Sequence, residues 1–277
     1  MKTNSNNWNL PAGDKYRNWS KQLLRQQVGH DQVLDQYLTG GQNYCINAKT
    51  LAVYEFQQQP LLGKYKSVAF DSQEGIVLSQ RSSSALLTAY GKQCLLAGIE
   101  FQREFARQIN IKGRNTIATG RLAYFSMRSY NAGNVDWVAL HQMASFKVVK
   151  QYTINFVSIG PGGCVFTFNN CTNRIHDRLR TGLLYNHYLC KLGLAHLEER
   201  LGWKVKPPSG PSLLDQSDYF HPHQSSSDLS LNAILQDLLN KKHSRYAQYL
   251  ADYYEQAYLT ESHRVIYHLS QRPDTLY

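Results

Sequence analysis

The sequence predicts an α+β fold, in which a mostly antiparallel sheet core carries one packed basic helix and is followed by a helical C-terminal appendage. Between residues 44 and 143, several short segments alternate loosely between apolar and polar residues, as half-buried strands do. After residue 174, the apolar residues instead recur at helical spacing. With 42% hydrophobic and 12% aromatic residues, the chain has enough apolar surface for a substantial core.

Residues 1–43 predict a polar N-terminal extension. Its few large apolar residues favour one short helix packed on another part of the protein, and they are Trp19, Leu23, Leu24 and Val28. The segment has no stretch typical of a cleaved secretory signal, and no apolar run in the chain is long enough to cross a bilayer. The five cysteines are odd in number and widely spaced, which indicates reduced, mostly buried thiols. We therefore expect a cytoplasmic protein without a membrane partner.

Residues 44–206 predict a basic core domain. Its first two strands are expected at 46–56 and 76–78. The residues from Arg81 to Ser84 are typical of an N-cap and predict a helix over 85–90.

The middle of this core holds one ambiguous segment. In residues 99–112 the apolar side chains occupy alternate positions but also form a passable helical face, and we favour a strand. Two further strands are predicted over 121–127 and 135–143, with a loop-forming segment between them.

The stretch from Tyr152 to Lys191 predicts a β-hairpin that leads directly into a basic helix. A Gly-Pro-Gly-Gly turn at 160–163 joins the two short aromatic strands. The apolar stripe of the helix consists of Ile175, Leu179, Leu183 and Cys190. Beside that stripe lie His176, Arg180, His187 and Lys191. A second helical piece is expected up to Trp203, with the prolines from residue 207 ending it.

The C-terminal quarter differs in composition from the core. Residues 207–228 are rich in proline and serine and predict a linker. In residues 229–277, leucines and then tyrosines recur at helical intervals, which predicts a helical acidic tail. Its aromatic face favours either packing on the core or docking of a second protomer or a regulator.

The positive charge of the chain is concentrated in its middle. The whole sequence has 30 Lys and Arg against 20 Asp and Glu, a formal net charge of +10. Residues 43–206 hold 20 of these cations and 9 of the anions, whereas residues 207–277 hold 5 and 8. A regional surplus of this size indicates a polyanionic partner, with nucleic acid favoured over an anionic membrane.

Eight basic residues of the core are the predicted DNA contacts. Four lie on the basic helix, where they would follow the phosphates: Arg174, Arg178, Arg180 and Lys191. Four others lie in loops and at strand ends, where they would contact the backbone or the minor groove: Lys112, Arg114, Arg121 and Arg128.

Two other groups of residues have side chains that suit metal binding or catalysis, but they give weaker signals. The first group is Cys164, Cys171, His176 and Cys190. Structural zinc sites take their ligands as closely spaced pairs, and the spacing in this group is too wide for that. No nucleophile motif or phosphate loop accompanies the one possible acid–base set, Asp136, His141 and His176. We therefore predict no metal, no cofactor and no enzymatic activity, and we keep nucleic-acid processing as an alternative.

Several short motifs of the core follow one another in a characteristic order. A strand with Tyr44, Ile46 and Thr50-Leu51-Ala52-Val53 comes first, and Tyr90-Gly91-Lys92 and Tyr124-Phe125-Ser126-Met127-Arg128-Ser129 follow. Asn134-Val135-Asp136-Trp137-Val138-Ala139-Leu140-His141 is next, and Phe168-Asn169 then leads into Asn173-Arg174-Ile175. In this order, residues 44–192 resemble the competence transcription factor family, ComK, of Gram-positive bacteria. The chain resembles a divergent member with extensions at both ends, since Ser126-Met127 stand where the family has Pro-Thr.

The resemblance implies a DNA-binding activator of genes for DNA uptake, which reads A/T-rich duplex sites through the minor groove and the phosphates. It also implies a homodimer or homotetramer that associates with the nucleoid, and turnover by a Clp protease through an adaptor. Arginines suit the narrow, electronegative groove of such sites. From the residues alone, an RNA-binding regulatory module is the alternative, because exposed aromatic residues among basic strands would stack unpaired bases.

Overall fold

The computed structural model describes residues 8–95, 98–111, 115–129, 135–206, 210–216 and 230–254. Within these ranges the chain forms eleven strands and six α-helices, which confirms the α+β prediction. The strands are β1 (Asn18–Trp19), β2 (Leu38–Gly40), β3 (Thr50–Glu55), β4 (Ser67–Asp71), β5 (Gly75–Ser79), β6 (Thr116–Ala118), β7 (Ala123–Ser126), β8 (Trp137–Ala139), β9 (Met143–Lys150), β10 (Thr153–Ser158) and β11 (Val165–Phe168). The helices are α1 (Lys21–Gln27), α2 (Gln32–Asp35), α3 (Ser83–Cys94), α4 (Gly98–Gln108), α5 (Ile175–Leu201) and α6 (Leu231–Tyr254).

Seven strands form the larger sheet, in the order β2-β5-β4-β3-β8-β7-β6. All neighbours pair antiparallel except β2 and β5, which pair parallel. In the centre, Val53 of β3 lies opposite Ala69 of β4 on one side and Trp137 of β8 on the other. The four predicted strands at 46–56, 76–78, 121–127 and 135–143 are confirmed as β3, β5, β7 and β8. Strand β5 extends one residue beyond the predicted bounds at each end, and the other three are narrower than predicted.

The smaller sheet has four strands in the order β1-β11-β10-β9. It contains the predicted hairpin, in which Phe156 of β10 lies opposite Phe166 of β11. Gly162 and Gly163 close the turn with φ angles of 79° and 57°, which glycine adopts without the strain that a side chain would add.

Alternate residues of the larger sheet enter two different cores, because successive side chains of a strand point to opposite faces. On one face, Tyr54 and Phe70 join the smaller sheet and α5 in the main core. On the other face, Val53 and Ala69 pack against α3. The N-cap of α3 is the predicted one, since the Ser82 hydroxyl accepts the Ala85 N–H at 3.2 Å.

Helix α5 is one continuous helix of 27 residues, not two pieces. The predicted apolar stripe is buried at Ile175, Leu179 and Leu183, whereas Cys190 is only partly covered. The helix ends before the prolines, because Gly202 adopts a left-handed conformation and the Trp203 N–H bonds to the Leu197 carbonyl.

Residues 98–108 form α4, so the strand that we favoured for this segment is wrong. Phe101 and Phe105, one turn apart, are both buried in the main core, whereas Arg103 and Arg107 face solvent. The polar Gln102 is buried as well, because its side-chain amide hydrogen-bonds both backbone groups of Ala118. A strand would have placed the two arginines on the apolar face, and a helix turns them away from it.

The N-terminal segment does not form a single helix from Trp19. Trp19 ends β1, and α1 begins only at Lys21, because the Ser20 hydroxyl caps it by accepting the Leu23 N–H. Strand β1 pairs with β11 and β2 pairs with β5. The segment that we predicted as an extension therefore supplies a strand to each sheet.

The C-terminal tail contains the predicted helix, α6, which packs on α4 and α5. Ile234 and Leu238 are buried in the main core. Part of the predicted linker is also held by the core, since Leu213 is buried and its N–H bonds to the Met143 carbonyl at 2.7 Å. Among the helices of the described residues, none is long and apolar enough to span a bilayer.

Candidate nucleic-acid interface

The first turn of α5 has an unusual start. Arg174, the N-cap residue, has a φ of 55°, in the left-handed region that few residues other than glycine and asparagine enter. The neighbouring Asn173 side chain accepts the Arg174 N–H at 2.9 Å and so supports this conformation. The Arg174 side chain is exposed.

Two further predicted contacts join Arg174 at this end of the helix. The Arg178 guanidinium bonds to the Asn115 side-chain oxygen at 3.3 Å, and the Asn115 amide bonds to the Ser126 carbonyl at the end of β7. The Arg128 Nε atom donates to the Asn170 carbonyl at 2.8 Å, just before α5. The Thr172 N–H bonds to the Met127 carbonyl, and this bond holds the end of β7 beside the residues that precede α5. We call Arg128, Arg174 and Arg178 the arginine group.

Lys191 lies further along α5, and Arg121 lies in a turn beside that part of the helix. The turn that carries Arg121 is fixed to the helix, because Gly120 exchanges two hydrogen bonds of 3.1 Å with the Asn186 side chain. Burial raises the pKa of the Cys190 thiol next to Lys191, and the Arg121 charge opposes that shift. With a rise of ~1.5 Å per residue, Lys191 lies roughly 20 Å from Arg178 along the helix. Along the axis of α5 the predicted contacts therefore form a row of roughly 20 Å, in which Arg178 and Arg180, two residues apart, lie on nearly opposite sides of the helix.

Three predicted contacts remain, namely Arg180, Lys112 and Arg114. Arg180 is exposed on α5 between the arginine group and Lys191. Lys112 and Arg114 lie outside the described residues.

Most cations of the described residues take part in no ion pair, and five of the predicted contacts are among them. Among the described residues, no carboxylate lies within 4.0 Å of Arg121, Arg128, Arg174, Arg180 or Lys191. By contrast, Arg107 and Lys241 each bind Glu104 and Asp237 at the contact between α4 and α6. The positive charge along α5 thus remains available to a partner.

A cleft of about 730 Å³ adjoins the arginine group. It lies between α1 and the ends of β3, β7 and β11, and Arg128 and Asn170 form part of its wall. Lys21 and Arg25 line it from α1. Both cations pack over the Phe56 ring, with the Lys21 Nζ atom 5.8 Å and the Arg25 Cζ atom 5.6 Å from its centroid.

Two buried carboxylates lie at the base of this cleft. Burial raises the pKa of Asp136, although Lys21 Nζ lies 2.7 Å from its carboxylate and the Glu55 N–H donates to it at 2.8 Å. The Glu55 carboxylate accepts the Gln57 N–H and the Ser83 N–H at the start of α3. Both carboxylates are thus satisfied by groups of the protein.

The possible acid–base set is dispersed. Asp136 contacts Lys21 and the Glu55 backbone, and the His141 imidazole contacts the Ala123 backbone. His176 is exposed, with its ring beside Phe146.

The cysteines form no shared site in the part of the chain that the structure describes, where no three His, Cys, Asp or Glu side chains are grouped to hold a metal. Cys164 and Cys171 are buried as thiols, and the Cys171 thiol donates to the Phe168 carbonyl. Cys45 and Cys94 are exposed, so burial is less general than the sequence suggested.

The sequence did not indicate Lys21 and Arg25 as site residues. They are four residues apart on one face of α1, which is the only local signal. Their place opposite Arg128 follows from the pairing of β1 with β11, which the sequence does not display.

We compared the chain with models of protein families, with curated proteins and with solved structures, and none of them matches it.

Proposed function

We propose that the protein is a DNA-binding transcription activator of competence genes, which binds A/T-rich duplex DNA through phosphates and the minor groove. The observation that supports this proposal is the row of cations along α5, in which Arg174, Arg180 and Lys191 have no carboxylate within 4.0 Å among the described residues. Charge of this kind suits a phosphate backbone, and arginine suits a narrow minor groove. The competence role rests on the resemblance of residues 44–192 to the ComK family.

Burial of the strand aromatics favours duplex DNA over unpaired RNA. The RNA alternative requires aromatic rings that are free to stack on bases. The rings of the strands nearest the arginine group are buried in the two cores, namely Tyr124, Phe125, Phe156, Phe166 and Phe168. A flat stacking platform is therefore not available on these strands.

Assembly and turnover belong to the same proposal. We place a homodimer or homotetramer on the DNA and an adaptor of a Clp protease on the tail, and both rest on the resemblance. Tyr246 and Tyr249 on α6 are exposed, as an interface anchor would be.

The test removes two exposed cations of the row, in the variant Arg174→Gly with Arg180→Ala. Glycine suits the left-handed conformation at residue 174, so the first change removes a charge without backbone strain. Fluorescence anisotropy with an A/T-rich duplex, measured over a range of salt concentrations, gives the affinity. We expect a loss of at least about tenfold at low salt. We also expect the slope of log K against log salt to fall by about two.

A variant of equal charge, Arg103→Ala with Arg245→Ala, serves as the control. Both residues are exposed, one on α4 and the other on α6, and neither is a predicted contact. This control should keep the affinity of the wild type. If both double variants weaken binding equally, net charge alone attracts the DNA and α5 is not the interface. If single-stranded RNA competes better than the duplex, the RNA alternative replaces the proposal.

A further inference from the structure

The cleft beside the arginine group shares Arg128 with the proposed duplex interface, and duplex binding along α5 does not use the rest of its lining. Its volume of about 730 Å³ lies within the usual range for a small-molecule site. Its walls come from five separate segments, so it is a concave site rather than part of the convex helix surface. Side-chain amides dominate its lining, and they are Gln22, Gln26, Gln57, Gln58, Gln59, Asn169 and Asn170.

The available charge in this cleft is positive. The carboxylates of Glu55 and Asp136 are occupied by backbone N–H groups and by Lys21. Arg25 on α1 and Arg128 after β7 have no carboxylate within 4.0 Å among the described residues. Packing over Phe56 positions the Arg25 guanidinium before a ligand arrives. Guanidinium groups bind phosphate through paired, charge-assisted hydrogen bonds.

The amides add a second kind of recognition. Each one offers both a donor and an acceptor, which is the pattern that the edge of a nucleobase requires. We propose that the cleft binds one nucleoside phosphate, with Arg25 and Arg128 holding the phosphate and the amides bonding to the base. The ligand is either a free mononucleotide or one nucleotide of a single strand, since both present the same chemistry. This goes beyond the proposed function, because it assigns a second site that does not require a duplex.

Calorimetric titration of the full chain tests this proposal with each of the four ribonucleoside 5′-monophosphates. Adenosine and inorganic phosphate test the two halves of the ligand, and a single-stranded tetranucleotide tests the strand source. Arg25 is the residue to change, because it belongs to the cleft and not to the row along α5. We expect Arg25→Ala to weaken binding by at least about tenfold. Arg103→Ala, an equal loss of charge on α4, should bind like the wild type.

The outcomes separate the two sources. Binding of a monophosphate that Arg25→Ala weakens supports a free nucleotide. Binding of the tetranucleotide alone, weakened in the same variant, supports the strand source. The proposal is overturned if neither probe binds, if Arg25→Ala binds as tightly as the wild type, or if adenosine binds as tightly as its monophosphate.

Two further measurements keep this test separate from duplex binding and from folding. Duplex affinity is measured on the same Arg25 variant, and we expect it to be retained. If the wild type does not bind duplex DNA, the proposed function is refuted and the result for the cleft still stands. If Arg25→Ala lowers the melting temperature, Arg25→Gln, which keeps most of the packing over Phe56, takes its place in the titration.

Discussion

The imidazole of His141 lies in the second core, where its ring meets Tyr124 edge-on at 5.2 Å. Its Nδ1 atom lies 3.3 Å from both the N–H and the carbonyl oxygen of Ala123. Burial lowers the pKa of His141 from 6.5 to about 4, and these backbone contacts only partly oppose it. The residue therefore stays uncharged in the folded protein near neutral pH. A role in packing, rather than proton transfer, explains its position.

This burial makes the stability of the protein depend on pH. Because the pKa is lower in the folded state, the unfolded state binds the additional proton as the pH falls below about 6.5. The contribution of His141 is thus complete above pH 6.5 and is lost progressively towards pH 4. We expect the free energy of unfolding to fall by up to about 3 kcal/mol over this range. Urea unfolding at pH 7, 5.5 and 4 measures it.

Two variants isolate this histidine from the others. His141→Gln removes the titrating group and should flatten the pH dependence relative to the wild type. His176→Gln changes an exposed histidine and should follow the wild type at each pH. An equally steep loss of stability in His141→Gln would show that another group titrates.

At the scale of residues, the sequence predicted part of the candidate site. Arg174 and Arg178 could be grouped because they are one turn apart on a helix with a clear apolar stripe. Arg128 joins them through its own bond to the Asn170 carbonyl and through the bond between Met127 and Thr172, both of which link distant parts of the chain. Arg25 could not be placed at all, because the strand before α1 has only two residues and no periodicity to detect.

At the scale of elements, the contact between α5 and the larger sheet depends on one glycine. A Cβ atom at Gly182 would lie 2.1 Å from the Thr116 hydroxyl and 3.4 Å from the Phe125 ring. The helix therefore approaches β6 more closely than any other residue type would permit. This approach also sets the position of the cations that α5 carries.

Substitution of two glycines in α5 tests this approach. Gly182→Ala should lower the free energy of unfolding by about 1–3 kcal/mol, because the helix has to move away from β6. Gly193→Ala provides the matched control, since nothing lies within 4 Å of its added Cβ atom. There we expect a gain of up to about 1 kcal/mol from helix propensity. Thermal unfolding followed by circular dichroism compares the two, and equal effects would contradict the close contact.

The prediction of helices and strands succeeded where the apolar residues follow one period and failed where they fit both the helical and the strand period. The stripe of α5 has only a helical period, and the hairpin has an explicit glycine-rich turn. In α4, residues 101 and 105 fit both periods, and in the helix Phe105 packs edge-on against Tyr185 of α5. That contact is tertiary, so no local pattern displays it. The same holds for β1 and β2, whose few residues gain stability only from their pairing partners.

At the scale of the whole molecule, helix α6 of the C-terminal tail is part of the folded unit rather than a separate appendage. Lys242 of α6 binds Glu100 of α4 at 3.1 Å, close to the ion pairs that involve Glu104. Beneath these pairs, Ile234 is fully buried in the main core. Ion pairs at such a surface orient α6 on α4, and the buried apolar area supplies most of the free energy of the contact.

A core variant in α6 therefore tests whether the tail and the sheets unfold together. Ile234→Ala should destabilise the protein by about 2–5 kcal/mol, because it leaves a cavity in the main core. Fluorescence of the buried Trp19 and Trp137, which lie on β1 and β8, reports the unfolding of the two sheets at a distance from α6. Leu239→Ala, on the exposed side of the same helix, should stay within about 0.5 kcal/mol of the wild type. If Ile234→Ala leaves the tryptophan transition unchanged while helix content is lost at lower urea, α6 unfolds by itself. If the transition shifts for Ile234→Ala and not for Leu239→Ala, one cooperative core joins the tail to the sheets that hold α5 in place.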